Sequence, residues 1–344
     1  MNVDNGKTKC FEQNNKLKFD IEPKMSENHN VLIIDDLHPS FMEKLQTYGV
    51  VYAYMPQLKA SEVDAALKGH TALVLRSKID VSRTLMVNNP SIKLIARAGS
   101  GMDNIDVAAA QELGVTVINC GEANKDAVAD QTLGILLGLS SNIVQSNREV
   151  VRGIWNRESN RGFEIKGKTV GIIGFGNTGS AFAQRLAGFD CQVLAYDKYK
   201  SDYTEGFSHV NEVGQDEVIK SSDILSFHVP LMNETRGMIN ASFIQKMERP
   251  FVLMNLSRGG IMNTSAVLEG LKMGKISHFG ADVLENENLA NLTMQQKLEL
   301  SELNAMSNVI ITPHIGGWSV ESYERISEVL VNKFFFALNE TNYI

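Results

Sequence analysis

The amino-acid sequence predicts an α/β protein with two doubly wound parallel-sheet domains. Short apolar runs alternate with amphipathic stretches from residue 31 onward, which is the pattern of parallel strands joined by helices. A second alternating series begins at residue 169, after a long helical segment and a polar stretch. A glycine-rich turn joins the first strand and the first helix of that second series. The length of 344 residues suits two domains of ordinary size.

The first series opens with the buried strand VLIID (31–35) and the helical stretch PSFMEKLQTYG, in which proline marks the start and glycine the end. Because the strands alternate with helices, we expect right-handed crossovers between them. Further strands are predicted in VVYAY (50–54), ALVLR (72–76), KLIARA (93–98) and VTVIN (115–119), with helices near 61–69 and 104–113.

The segment 124–152 is predicted to be helical over most of its length, and a polar arm joins it to the second series. A last amphipathic helix at 319–338 follows that series, and we expect it to pack on the first domain. The strands predicted in the second series are TVGII (169–173), QVLAY (192–196), DILSF (223–227), FVLMN (251–255), HFGAD (278–282) and NVIIT (308–312), with a helix at 177–189 after the first of them.

Charge and cysteine content disfavour several classes of protein. A net charge of -7 gives no general attraction to nucleic acid or to anionic membranes, and no apolar run reaches the ~18 residues of a membrane span. Cys10, Cys120 and Cys191 are widely spaced and form no CxxC pair, which favours a reducing compartment and no metal site. Residues 1–25 lack the pattern of a signal or transit peptide and are predicted to be a disordered extension. We therefore expect a soluble cytoplasmic protein.

A nucleotide site is predicted at GFGNTG (174–179), between a strand and a helix. Gly174 allows the tight turn, Gly176 lets backbone amides approach a pyrophosphate, and Gly179 lets the helix lie close to the strand. Asp197, at the end of the next strand, would bind the adenosine ribose and repel a 2′-phosphate. The pattern predicts NAD as the cofactor, while Lys198 and Lys200 leave some use of NADP open. The other residues of the turn that we expect to contact the cofactor are Phe175, Asn177 and Thr178.

Three later strands of the second series end in residues with redox chemistry. NLSRGG (255–260) carries Arg258, GADVLENE (280–287) carries Asp282 and Glu287, and TPHIGG (312–317) carries His314. A guanidinium binds a carboxylate through parallel hydrogen bonds, and an imidazole exchanges a hydroxyl proton near neutral pH. A carboxylate beside the imidazole orients its ring. Together these groups predict an alcohol–ketone redox site, although each alone could be an ordinary surface or structural residue.

The order of GFGNTG, Asp197, HVPL (228–231) and the three later motifs resembles the D-isomer-specific 2-hydroxyacid dehydrogenases over roughly residues 30 to 338. Within the family, the resemblance is greatest to phosphoglycerate dehydrogenase in a short form without a regulatory domain. It implies a Rossmann NAD-binding domain inserted into a discontinuous, flavodoxin-like substrate domain. The implied division is a first part of the substrate domain at 26–123, the NAD-binding domain at 124–315, and a C-terminal helix at 316–344 that completes the substrate domain.

The resemblance also implies roles for single residues. Arg258 would be the catalytic arginine, Glu287 the acid partner and His314 the acid/base histidine, while Asp282 would contact the nicotinamide side. His228 would line the cofactor pocket, or else pack at a strand end. The loops LRSK (75–78) and ARAGSGMDNID (96–106) would face the cleft, where backbone amides form a nest for a substrate carboxylate. The remaining residues implied for the cofactor are Pro230, Ser257 and Gly316, and those for the substrate are Arg76, Ser77, Gly99, Ser100, Gly101 and Asn124.

The implied activity is NAD-dependent oxidation of a D-2-hydroxy acid, and 3-phosphoglycerate, the entry to serine biosynthesis, is the favoured substrate. Glyoxylate or hydroxypyruvate reduction is the alternative, and an NAD-sensing binding protein or corepressor is an alternative of another class. Formate oxidation is disfavoured because Glu287, rather than glutamine, would partner the histidine. The candidates for phosphate contacts are Arg76, Lys78, Arg148 and Arg152.

The chain departs from the family pattern near the cleft. Trp318 stands where serine or threonine is usual, so we expect a bulkier rim. An insertion at 288–313 is predicted to form a short helix near the mouth of the cleft. The resemblance implies a homodimer, with the helix from residue 124 and the arm carrying Trp155 at the interface; in the alternative interpretation Trp155 is a core anchor.

Overall fold

A five-stranded parallel sheet organises the first part of the chain in the computed structural model, which describes residues 29–341. The predicted extension at 1–25 therefore lies outside the described residues. The strands follow the order β2-β1-β3-β4-β5, which is the flavodoxin-like order. Apolar clusters cover both faces, as the continuous hydrophobic strands predict. Its elements are β1 (Asn30–Ile33), α1 (Ser40–Thr47), β2 (Val51–Tyr54), α2 (Val63–Ala66), β3 (Ala72–Leu75), α3 (Arg83–Asn88), β4 (Leu94–Arg97), α4 (Val107–Glu112) and β5 (Thr116–Asn119).

Two helices, α5 (Lys125–Ser140) and α6 (Ile143–Val151), follow this sheet where the sequence predicts one helical segment. They meet at 62°, and Asn142 between them has a left-handed φ of 50°. The returning chain explains the break, because the Phe163 amide donates to the Ser140 carbonyl at 2.8 Å. No single helix among residues 29–341 is long and apolar enough to cross a bilayer; α5 and α6 pass that test only as a bent pair, and much of α5 is buried.

A second sheet of seven parallel strands forms the rest of the protein, in the order β12-β11-β10-β9-β6-β7-β8. Counted from β6, this is the Rossmann order 3-2-1-4-5-6 with one further strand. The predicted fold class is thus confirmed. The elements are β6 (Thr169–Ile173), α7 (Asn177–Leu186), β7 (Gln192–Tyr196), β8 (Val210–Glu212), α8 (Gln215–Ser221), β9 (Ile224–Phe227), α9 (Ala241–Lys246), β10 (Phe251–Asn255), α10 (Thr264–Lys272), β11 (Ile276–Ala281), α11 (Met294–Ala305) and β12 (Val309–Ile311).

The helix α11 is the helix predicted within the insertion at 288–313. Leu303 joins the core of the second sheet, and the buried Glu299 accepts a hydrogen bond from Ser265 on α10. Since no residue of α11 lines the cavity between the two sheets, this helix supports the second domain from outside the cleft.

The last helix, α12 (Val320–Thr341), returns to the first sheet. Phe334 and Leu330 are fully buried there, and the Phe334 ring meets Phe41 edge to face at 5.9 Å. The Arg325 side chain donates to the carbonyl of Ala123, just before α5. The chain therefore crosses between the two sheets twice, at the starts of α5 and α12, and the cleft opens beside these crossings.

Candidate active site

A cavity of about 890 Å³ lies between the two sheets and is lined by residues of both. A volume of this size suits a small-molecule site. Several of the predicted residues do not line this cavity. They are Gly174, Phe175, Gly176 and Gly179 of the glycine turn, Asp197, and the phosphate candidates Lys78, Arg148 and Arg152. The predicted residues that line it are Arg258, Glu287 and His314; Arg76, Ser77, Gly99, Ser100, Gly101 and Asn124; and Asn177, Thr178, His228, Pro230, Ser257, Asp282 and Gly316.

The glycine turn has the geometry of a dinucleotide cradle. Gly174 has a φ of 92°, and a Cβ there would lie 2.6 Å from the His228 carbonyl oxygen. A Cβ on Gly179 would lie 2.1 Å from the Gly174 carbonyl oxygen, so both positions require glycine. A Cβ on Gly176, at the start of α7, would instead meet open space. The helix N-terminus is thus accessible to a pyrophosphate, and the residues fit the predicted cofactor.

Asp197 closes this turn against the next strand. Its carboxylate accepts hydrogen bonds from the amides of Phe175 (2.9 Å) and Tyr199 (3.0 Å). These bonds fix a negative charge where an adenosine ribose would lie, which disfavours a 2′-phosphate. The Phe175 side chain does not face this site, since its ring is buried against Tyr203 and Phe207.

His228 is a buried neutral ring at the end of β9. Burial lowers its pKa to about 4, and its ring nitrogens lie 2.9 Å from Ser226 Oγ and 3.3 Å from Thr178 Oγ1. The ring also stacks on Phe182. His228 therefore lines the cavity and also packs against the start of α7. Both interpretations of its position, a pocket residue and a packing residue, apply.

The acid/base candidate His314 sits on a strained turn that Asp282 holds. His314 has a φ of 57°, which lies in the left-handed region that residues other than glycine rarely adopt. The buried Asp282 carboxylate accepts hydrogen bonds from the amides of Ile315 (3.0 Å) and Gly316 (2.6 Å), and from the Thr312 hydroxyl (2.5 Å). Since these bonds span the turn on both sides of His314, Asp282 fixes the position of the imidazole.

Glu287 orients the imidazole ring itself. His314 Nδ1 lies 2.8 Å from one Glu287 carboxylate oxygen and 3.0 Å from the other. Because a carboxylate can only accept a hydrogen bond, Nδ1 carries the hydrogen, and Nε2 is the free acid/base atom. The loop that carries Glu287 is itself tied down, since Glu285 accepts from Thr264 at the start of α10.

Arg258 pairs with an acid from the other side of the cleft. Its Nε donates to Asp103 at 2.5 Å, and Nη1 donates to the Ser257 carbonyl at 2.7 Å. A Cβ on Gly101 would lie only 1.7 Å from Arg258 Nη2, so glycine makes room for the guanidinium. The two bonds leave the Nη2 hydrogens and one Nη1 hydrogen available to a ligand carboxylate.

Backbone amides of the first domain complete this anion site. In the described part of the chain, the amides of Ser77, Ser100 and Gly101 meet no hydrogen-bond acceptor, while the Gly99 amide is taken by Arg97 O and Cys120 Sγ. The Ser100 hydroxyl donates to Asn124 at 2.6 Å, which ties the loop to the start of α5. Of the amides predicted to form the nest, those of Ser77, Ser100 and Gly101 remain available as donors.

Besides Arg258 and Arg76, a third arginine, Arg97, lines the cavity and was not singled out in the sequence. Burial first, and then the positive charges of Arg258 and Arg76, lower its pKa from the ordinary arginine value. Within residues 29–341 its Nε is buried without a partner, and Nη1 reaches only the Ala98 carbonyl at 3.3 Å. A charged residue at the end of the apolar strand LIAR, next to Leu75 in the sheet, is the signal that marks it.

Comparison with known proteins identifies the second domain. Residues 133–316 match the model of the D-isomer specific 2-hydroxyacid dehydrogenase NAD binding domain. The chain is 36% identical to a hydroxypyruvate reductase of Thermotoga maritima over 76% of its length and 83% of the relative. It is 33% identical to a D-3-phosphoglycerate dehydrogenase of Methanocaldococcus jannaschii over 88% of its length, but spans only 56% of that relative. Among solved structures, D-lactate dehydrogenase of Aquifex aeolicus, complexed with NAD and lactic acid, superposes with a TM-score of 0.79 at 27% identity, covering 89% of this chain and 94% of that one.

Replacing Asp103 tests whether it positions Arg258. We expect Asp103→Asn to lower kcat/KM for 2-hydroxy acids by about 10- to 100-fold, because the carboxylate charge that holds the Arg258 guanidinium is lost. NAD affinity, measured by fluorescence titration, should stay at the wild-type value. Asp80→Asn removes an exposed acid of the same domain and should keep full activity. Equal effects of both substitutions would argue against the positioning role.

Proposed function

The chain belongs to the D-isomer-specific 2-hydroxyacid dehydrogenase family, and we propose that its substrate is 3-phosphoglycerate, oxidised with NAD in serine biosynthesis. The observation that carries the choice of substrate is the convergence of Arg76, Arg97 and Arg258 on one cleft. A simple 2-hydroxy acid has one anionic group, and 3-phosphoglycerate has two. Arg258 with the amides of Ser100 and Gly101 suits the carboxylate, and the other two arginines suit the phosphate.

The site residues divide the reaction between them. Arg258 and the amide nest hold the carboxylate, so that the C2 hydroxyl faces His314. His314 Nε2 accepts the hydroxyl proton, and Glu287 stabilises the positive charge that the ring gains. NAD held at the glycine turn would supply the acceptor for the hydride that leaves C2. The products are the 2-keto acid, NADH and a proton.

Hydroxypyruvate reduction is the second candidate. It is favoured by the similarity to the Thermotoga maritima hydroxypyruvate reductase. The chain covers 83% of the length of that relative, but only 56% of the length of the phosphoglycerate dehydrogenase. The same Arg258, Glu287 and His314 would then work in the reverse direction, with His314 donating the proton. Arg97 favours the first candidate, because a buried cation whose Nε meets no partner among the described residues is costly unless a second anion offsets it.

We also propose a cytoplasmic homodimer. Apolar side chains are exposed on α6 and the arm after it, and Trp155 is 86% exposed, so it is not a core anchor. Such a patch is typical of a protein interface. The free thiols of Cys120 and Cys191 suit a reducing compartment. The exposed apolar residues of this patch are Ile143, Val150, Val151, Ile154 and Trp155.

The acid/base role of His314 is tested by His314→Asn. We expect kcat to fall by ~10²–10⁴-fold, the usual contribution of a general acid/base, with NAD still bound as in the wild type. Stopped-flow kinetics and NADH fluorescence titration measure the two quantities. Retained turnover would remove the assigned role.

The substrate is tested by comparing kcat/KM for 3-phosphoglycerate with the values for glycerate, hydroxypyruvate and glyoxylate. We expect the phosphorylated acid to be preferred by about 10-fold or more, since a charged hydrogen bond contributes ~1.5–3 kcal/mol. Arg97→Gln should reduce that preference selectively. A higher value for hydroxypyruvate would establish the second candidate instead.

The dimer is tested by light scattering coupled to size exclusion. We expect Trp155→Glu to shift the protein from dimer to monomer, because the substitution places a charge in the apolar patch. Met273→Glu is the matched control, since Met273 is also exposed but lies after α10 in the second domain. A monomeric wild-type protein would contradict the proposal.

A further inference from the structure

Trp318, which follows the turn of His314, contacts Arg76 from the first domain. The Arg76 guanidinium carbon lies 4.0 Å from the centre of the Trp318 ring, which is a cation–π contact. Arg76 extends from the end of β3, and its backbone amide donates to Asp35 at 2.6 Å. Both side chains line the cavity of the candidate site. The contact therefore joins the loop after β3 to the loop before α12 at the rim of the cavity.

The Trp318 ring is itself held from behind. It lies 5.7 Å from the Tyr323 ring, centre to centre, and the Tyr323 hydroxyl donates to Asp36 at 2.6 Å. Tyr54 donates to the other oxygen of the same carboxylate at 3.1 Å. The Trp318 side chain is half exposed, so these contacts, rather than burial, fix its position.

The Arg76 guanidinium is held through the flat face that lies on the Trp318 ring, and not by hydrogen bonds along its edge. Among the described residues, no hydrogen-bond acceptor lies within reach of its guanidinium, so its five N–H groups have no protein partner. The acids Asp35 and Asp36 stay nearby without a direct ion pair to it. A guanidinium held in this way has its donors free along the edge, in a fixed plane, which suits a tetrahedral or planar anion.

We propose that Trp318 is a specificity-determining residue, which holds Arg76 in place for a second anionic group at the end of the substrate far from the reacting carbon. This inference rests on the proposed function, because it assigns the distal group of the same substrate. Serine or threonine at position 318 could not provide the aromatic face. Because the indole already holds the Arg76 side chain, less conformational entropy is lost when the anion binds.

The first test compares Trp318→Ser and Trp318→Phe on phosphorylated and unphosphorylated acids. We expect Trp318→Ser to lower kcat/KM for 3-phosphoglycerate by about 2- to 5-fold, mainly through KM, and to leave glycerate and hydroxypyruvate nearly unchanged. Trp318→Phe should retain most of the preference, because the aromatic face remains. An equal loss on all substrates, or a gain on larger unphosphorylated acids alone, would show that Trp318 only shapes the wall and would overturn the proposal.

The second test does not depend on turnover. The chain has two tryptophans, so Trp155→Phe leaves Trp318 as the only one. With saturating NAD, titration with inorganic phosphate should change the Trp318 emission to a plateau, and Arg76→Gln should abolish the change. A response without 3-phosphoglycerate turnover would refute the proposed substrate and support the anion site. Turnover of 3-phosphoglycerate without a response would refute the role of Trp318 alone.

Discussion

The ion pair between Arg258 and Asp103 is the contact on which the site depends, because it joins the two domains at the reacting end of the cleft. The pair fixes Nε and thereby turns the remaining guanidinium hydrogens towards the amide nest of Ser100 and Gly101. Each group alone would be an ordinary charged side chain near a strand end. Held together, they form the place where we propose that the substrate carboxylate binds, which would turn C2 towards His314. The pair is partly exposed, so its contribution is chiefly geometric rather than to stability.

Two further carboxylates position His314, and one of them is buried while the other is exposed. Asp282 is buried and accepts from the Thr312 hydroxyl before the histidine and from the amides of Ile315 and Gly316 after it, so it stabilises a left-handed turn that would otherwise be costly by ~1–3 kcal/mol. Glu287 is exposed and contacts only the ring. Because one acid sets the backbone and the other sets the tautomer, the position of Nε2 is fixed although no other described residue bonds to it. This separation leaves the imidazole free to accept and return a proton.

The sequence predicts the fold class and the gathering of Arg258, Glu287 and His314, because parallel strands bring their carboxyl ends to one edge. It does not predict the partner of Arg258, since Asp103 lies 155 positions away and no local pattern links the two. The break between α5 and α6 is missed for a similar reason: Phe163 takes the carbonyl of Ser140 only in the folded chain. The contacts that Asp282 makes to the turn of His314 are likewise not predicted, while its contact with the nicotinamide side stays a prediction. Local chemistry is thus readable from the chain, while the pairing of distant loops is not.

The two ends of the cleft are built differently, and this has a consequence for substrate choice. The reacting end uses charged hydrogen bonds and a strained turn, so a change there affects every substrate. The distal end uses Arg76 on the face of Trp318, a half-exposed contact of the kind that contributes ~0.5–1 kcal/mol. That is small beside the free energy of folding, but it corresponds to a several-fold change in kcat/KM. We therefore expect substitutions at the rim to shift the preferred acid while Arg258, Glu287 and His314 stay as they are.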